Sequence, residues 1–135
     1  MPIFDFHSIA AAKAFLHHFG RRPAWASRAP GRLEILGNHT DYNEGTVLSV
    51  AVDRAMHIAA APNPDAPDGM VCRLYDAVSH SERTFRLDAL DHPRKGDWAN
   101  YIKGLVSALN LLGFKVPAFD AVLYGTVPLS AGKIT

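Results

Sequence analysis

The stretch from Trp98 to Leu112 constrains the fold most. Tyr101, Ile102, Leu105, Val106, Leu109 and Leu112 recur there on one stripe at helical spacing, and Gly113 stands where a helix would end. A second helix is predicted over Ser8 to Phe19, where Ile9, Ala12, Phe15, Leu16 and Phe19 share a face, Ser8 can cap and Gly20 can terminate. Between and after these helices the pattern changes to short extended runs. Trp25 to Leu36 mixes extended residues with the breakers Pro30 and Gly31, and Asn38 to Gly45 is polar and rich in turn formers, so a loop is expected after a strand. Thr46 to Val52 and Met56 to Ala61 read as separate strands. The turn-rich run Pro62 to Gly69 reads as an exposed loop, with a hairpin across it. Met70 to Tyr75, Arg83 to Leu87 and Phe119 to Tyr124 supply three further strands. Helical and extended segments thus alternate along the chain.

Composition narrows the function. Apolar residues make up 48% and charged residues 20% of 135 residues, ordinary for a globular protein and too apolar for a disordered one. The formal net charge is +1 and bases are interspersed with acids, so neither a nucleic acid partner nor a membrane surface is expected. No apolar run approaches the ~20 residues needed to cross a bilayer. The single cysteine, Cys72, cannot form an internal disulfide, and Met1-Pro2-Ile3-Phe4-Asp5 has neither the basic nor the apolar region of a secretory signal; a cytoplasmic location is expected.

Chemistry concentrates in Ala29-Pro30-Gly31-Arg32-Leu33-Glu34-Ile35-Leu36-Gly37-Asn38-His39-Thr40-Asp41-Tyr42-Asn43. Asp41 carries two acceptor oxygens, Asn38 and Asn43 carry donors and acceptors, and Arg32 carries a fixed fork of donors, a set that matches the hydroxyls of a sugar. Composition alone favours an Asx-rich turn that satisfies its own backbone, with His39 as a cap.

The segment resembles the galactokinase signature of the GHMP small-molecule kinases, Gly-Arg-x-Asn-aliphatic-Ile-Gly-acid-His-x-Asp-Tyr. Gly31, Arg32, Ile35, Gly37, His39, Asp41 and Tyr42 match it; Glu34, Leu36 and Asn38 depart from it. Asn38 replaces the acidic residue that contacts the sugar in the family. A neutral amide that also donates can change which sugar is preferred, which leaves galactose, N-acetylgalactosamine and other sugars open. A second stretch, Trp98-Ala99-Asn100-Tyr101-Ile102-Lys103-Gly104, is similar to a galactokinase segment on the helix before the phosphate loop, and that likeness sets Trp98 and Tyr101 near adenine. Spacing alone favours two aromatics packing in the core. A third stretch, Val127-Pro128-Leu129-Ser130-Ala131-Gly132, resembles the opening of the phosphate loop, with Ser130 and Gly132 as the matching nucleotide contacts; Lys133-Ile134-Thr135 replaces its usual continuation. That ending is not a Walker A motif, because the spacing from Gly125 to Gly132 is too long and Ile134 stands at the hydroxyl position.

The resemblance covers about Arg28 to Gly132. It implies an α/β (α+β) fold, the ribosomal S5 domain 2-like fold of the GHMP-kinase amino-terminal domain, with residues 1–135 as a partial domain. It further implies phosphorylation of the anomeric hydroxyl of galactose by ATP with magnesium, with no magnesium ligand in this chain. Arg32, Asn38, His39, Asp41 and Tyr42 would hold the sugar, and Arg32 would also be catalytic, by stabilising the reacting oxygen or the base. The base would come from outside this chain, so the 135 residues alone are expected to be inactive, a sugar-binding or regulatory module being the alternative. The histidines at 7, 17, 18, 39, 57, 80 and 92 are dispersed, and no metal site is expected. His17 and His18 read as a solvated pair, and His80 and His92 as loop residues without partners.

Overall fold

Helix α1 (Phe6–Phe19) buries Ala11 and Phe15, four residues apart and so on one face; Gly20 closes it with φ +70° and donates its N–H to Leu16 O at 2.9 Å. The computed structural model describes residues 6–37, 43–91 and 93–127. After α1 come β1 (Trp25–Leu36) and β2 (Leu48–Pro62), paired antiparallel with register shifts between Pro30 and Arg32 and between Glu34 and Leu36. Pro30 and Gly31 therefore do not end the strand. They sit at a bulge on an edge strand, where a missing N–H costs no ladder bond.

β2 is a single strand, where the sequence predicts two, Thr46 to Val52 and Met56 to Ala61. Its first half and the facing part of β1 form a two-stranded ribbon with exposed side chains, so charged residues are tolerated there without interrupting the ladder. Its second half, from Met56 to Pro62, enters the sheet and pairs with β5 (Phe119–Gly125).

β3 (Val71–Asp76) and β4 (Ser81–Arg86) form an antiparallel hairpin, and the strand order is β1-β2-β5-β3-β4. The hairpin expected across residues 62–69 does not form. β5 runs between β2 and β3, parallel to β3, and its Ala121 and Val122 are buried on opposite faces of the sheet. Asn63 instead organises the connection. Its N–H donates to Ala118 O at 2.9 Å and its Nδ2 to Val71 O at 3.0 Å, and a short 3-10 turn follows at Pro67–Gly69.

Each sheet face carries a core. On the α1 side Ala11, Phe15, Ala59, Ala61 and Val122 cluster; on the other side Cys72, Leu74, Phe85, Ala121 and Ala99 of helix α2 (Ala99–Leu111) do. Burial pushes the Cys72 thiol up to about 11, against the lowering effect of a backbone hydrogen bond at Phe119, so it stays protonated and inert. The carboxylate of Asp120 is fully buried beneath the α1 face. It accepts Arg73 Nε at 2.7 Å, Arg73 Nη2 at 2.6 Å and Arg21 Nη2 at 2.6 Å, tying the segment after α1 to β3 and β5.

The stripe on α2 is only half used. Val106 is buried, but Tyr101 keeps 86% of its accessible surface and Leu105, Leu111 and Leu112 are also exposed. One helix face meets the sheet and the rest of the apolar arc meets solvent, an exposed surface of the kind that marks an interaction face. Among the described residues no helix is long and apolar enough to cross a membrane.

Candidate functional site

The segment joining β1 to β2 spans residues 37–47. Its ends are held together because Leu36 and Leu48 are register partners, and Gly37 leaves β1 at φ +110°, a conformation natural to glycine. Asn38, His39, Asp41 and Tyr42 lie outside the described residues, as do Ser130 and Gly132. Arg32 is described. It is exposed on β1 opposite Ala51, just past the bulge, so its guanidinium extends from the ribbon and is not buried in the sheet.

Gly31 is the point where this ribbon meets the other sequence motifs. A Cβ built there would lie 2.9 Å from Val127 Cγ2, 3.1 Å from Val52 Cγ2 and 3.3 Å from Arg54 O. The signature glycine is thus required by close approach, which only an absent side chain permits. Thr126 fixes the partner in that contact. Its Oγ1 accepts the Ala55 N–H at 2.8 Å and its own N–H donates to Ala55 O at 2.9 Å, so the exit from β5 is clamped to the middle of β2.

Val127 also lines an apolar cavity of ≈ 430 Å³, together with Met56, Ile58, Trp98, Tyr101 and Leu105. That volume lies within the range of small-ligand sites. Trp98 and Tyr101 therefore do not both pack into the core, as their spacing alone suggests. Trp98 is half-buried, its Nε1 donating to Ser81 Oγ at 3.2 Å and its ring lying 5.8 Å from the Arg83 guanidinium, while Tyr101 stands exposed at the mouth. Arg32, Gly31, Val127 and the two aromatics form one continuous series from the ribbon to the cavity.

Sequence reasoning passed over Glu34 except as a departure from a family pattern. Its Oε1 is buried and has no hydrogen-bond partner among the described residues. An acceptor in that condition is costly and is available to a donor brought by a ligand. The departure from asparagine at this position was the signal that could have marked it.

The histidines are less dispersed than their numbering implies. His18 stacks on Tyr75 at 3.9 Å and pairs with Glu82 at 3.2 Å, and His80 Nδ1 lies 2.9 Å from Tyr75 Oη, so His18 is not one of a solvated pair with His17 and His80 has a partner. His7 and His57 also approach, with ring centroids 5.6 Å apart. Among the described residues no group of three or more His, Cys, Asp or Glu is placed to hold a metal ion, and no magnesium ligand is assigned. His92 lies outside the described residues.

Comparison with known proteins bears on this geometry. Residues 13–62 match the family model described as the galactokinase galactose-binding signature, a span that contains Gly31, Arg32, His39 and Asp41. A galactokinase of Roseiflexus sp. (strain RS-1) is 39% identical over 118 residues, which are 87% of this chain and 29% of that protein. Among solved structures, the Lactococcus lactis galactokinase complexed with galactose superimposes with a TM-score of 0.72 at 25% identity, covering 87% of this chain and 30% of that one. The Methanococcus jannaschii mevalonate kinase shares the fold, with a TM-score of 0.62 at 16% identity over 80% of this chain and 34% of that one. The mixed sheet with a helix on each face is thus the fold of the GHMP-kinase amino-terminal domain. The chain spans about 30% of the length of the galactokinases it matches.

Proposed function

Because the chain belongs to the galactokinase family, we propose that it supplies the sugar-recognition loop and part of the nucleotide cleft of an enzyme that phosphorylates the anomeric hydroxyl of galactose with ATP. Residues 1–135 then correspond to the amino-terminal portion of that enzyme. The observation that carries this reading is the contact of Gly31 with Val127, which joins the signature strand to the Trp98 and Tyr101 cavity.

In this reading Asn38, His39, Asp41 and Tyr42 hold the sugar hydroxyls from the loop at the end of the ribbon. Arg32, permanently charged and extended from β1, stabilises the reacting oxygen or the base that takes its proton. Each hydroxyl that a polar group pairs with becomes a criterion for selection, because a sugar lacking it leaves that group desolvated and unpaired. Asn38, neutral where the family has an acid, is the residue that would move preference toward another sugar such as N-acetylgalactosamine. The adenine lies in the apolar cavity against Trp98 and Tyr101, and Ser130 and Gly132 approach the phosphates. ATP brings magnesium with it, which neutralises phosphate charge; none of the residues assigned here ligates it. Catalysis of this kind is mostly positioning and charge stabilisation.

Calorimetry of the 135-residue chain with galactose tests the reading. Binding that is weakened at least tenfold by Asp41→Ala, without turnover of ATP and galactose by the isolated chain, is the expected result. Multiple turnovers by the chain alone would contradict the assignment of the base to sequence outside it. Galactose binding that is indifferent to Asp41→Ala would remove the sugar site from this loop.

A further inference from the structure

Among the described residues, the one buried side-chain polar atom left without a hydrogen-bond partner is Glu34 Oε1. The backbone around it is regular. Arg32, Leu33 and Glu34 face Ala51, Val50 and Ser49 in unbroken register, with the two shifts lying on either side of this run. Side chains two apart on a strand share a face and stand about 7 Å apart along its axis, so Glu34 projects from the ribbon on the same side as Arg32. Leu33, 58% exposed, takes the other side. Ser49, directly across the ladder, donates nothing to the Glu34 oxygen.

The motif itself supplies a second, independent observation. Against the pattern Gly-Arg-x-Asn-aliphatic-Ile-Gly-acid-His-x-Asp-Tyr, the amide and the acid have changed places: Glu34 stands where the pattern has asparagine, and Asn38 where it has the acid. The motif keeps its carboxyl count while one carboxyl moves four residues back, onto a strand. An acceptor oxygen buried without a donor is costly to the sugar-free protein, and a hydroxyl brought by a ligand removes that cost. A glutamate packed there for structure alone would be expected to find a donor within the fold.

We propose that Glu34 takes over the sugar contact assigned to the acidic position of the motif, its Oε1 accepting a galactose hydroxyl on the Arg32 side of the ribbon. This rests on the reading of the chain as the sugar-recognition part of a galactokinase. Glu34 is then a specificity-determining residue of that site. An ionised carboxyl accepts and cannot donate, so it selects a sugar with a free hydroxyl at that place and opposes the change that Asn38 alone would make.

Calorimetry of the 135-residue chain with galactose tests the exchange directly. Glu34→Asn should raise Kd at least tenfold. Glu34→Gln, which keeps the shape and one acceptor but not the charge, should raise it at least threefold, and the swap Glu34→Asn/Asn38→Glu should return it to within threefold of wild type. In the absence of sugar, Glu34→Asn should unfold in urea at a midpoint no lower than wild type, since the oxygen it removes has no partner to lose. Binding within twofold of wild type in Glu34→Asn overturns the proposal, as does a swap no better than Glu34→Asn alone; a lowered urea midpoint would assign Glu34 to the fold instead. Asp41→Ala separates this inference from the reading beneath it. Binding lost in Asp41→Ala but kept in Glu34→Asn removes Glu34 and leaves the loop as the sugar site, whereas no galactose binding by wild type removes both.

Discussion

Gly31→Ala offers a quantitative test of the junction between the ribbon and the cavity. The added Cβ would stand 2.9 Å from Val127 Cγ2 and 3.1 Å from Val52 Cγ2, against roughly 3.5–4.0 Å for carbon atoms at optimal separation. Valine is stiff at χ1, so neither methyl can swing aside cheaply. Forcing a methyl into such a space costs about 1–3 kcal/mol. Restricting the unfolded chain returns at most ~1 kcal/mol, and only where the native backbone accepts alanine without strain. A net loss of about 1–2 kcal/mol is expected, a large share of the roughly 5–15 kcal/mol typical of a domain. Val127→Ala removes the closest of the three contacts but leaves Val52 Cγ2 and Arg54 O, so it should recover part of the loss and not all of it. Equilibrium urea unfolding followed by tryptophan fluorescence of wild type, both single variants and the double variant closes the cycle, with a coupling of at least ~0.5 kcal/mol expected. Neutral Gly31→Ala, or strictly additive effects, would show that β1 and the β5 exit do not touch as described.

Three further outcomes follow from the same geometry. Asp120→Ala leaves Arg21 and Arg73 without their shared, fully buried carboxylate and should cost about 3–5 kcal/mol, nearer the lower figure because both guanidinium groups reach solvent; replacing Asp120 by leucine together with Arg73→Met should cost less in the same unfolding assay. Burial opposes ionisation of Asp97, but the Ala99 N–H, Arg83 and Lys103 outweigh it and hold the carboxyl below its ordinary 3.8. A depressed carboxyl stabilises the fold above its unfolded value and loses that contribution as pH falls through the folded value, so the stability gap between wild type and Asp97→Asn should shrink on acidification below about pH 4. Tyr101→Ala, at a site so exposed, should change stability by less than ~0.5 kcal/mol while weakening ATP binding in calorimetry; a large stability loss would return Tyr101 to the core.

The sequence made some of this legible and not the rest, for identifiable physical reasons. Local periodicity located both helices and the approximate runs of β3, β4 and β5, because capping glycines and side-chain alternation act over a few residues. The interruption between Thr46–Val52 and Met56–Ala61 is absent, because an exposed ribbon accommodates Asp53 and Arg54 without interrupting the ladder. The insertion of β5 beside β3 was invisible, since that pairing joins Asp120 to Arg73 across distant sequence. The stripe on α2 signalled an apolar arc without telling which part meets the sheet, so Val106 was foreseeable as core and the exposure of Tyr101 and Leu105 was not. Arg32 could be named from its motif. Glu34 acquires meaning only from the burial of its Oε1.

The central claim is that Arg32, His39 and Asp41 converge on one hexose at the end of the ribbon. Intermolecular NOEs between ¹³C-labelled galactose and the protonated, side-chain-labelled chain test it most directly. Contacts from the sugar to Arg32 and to residues 38–42, lost in Asp41→Ala, are predicted; contacts to the α2 face instead, or to Arg32 without residues 38–42, would contradict the account.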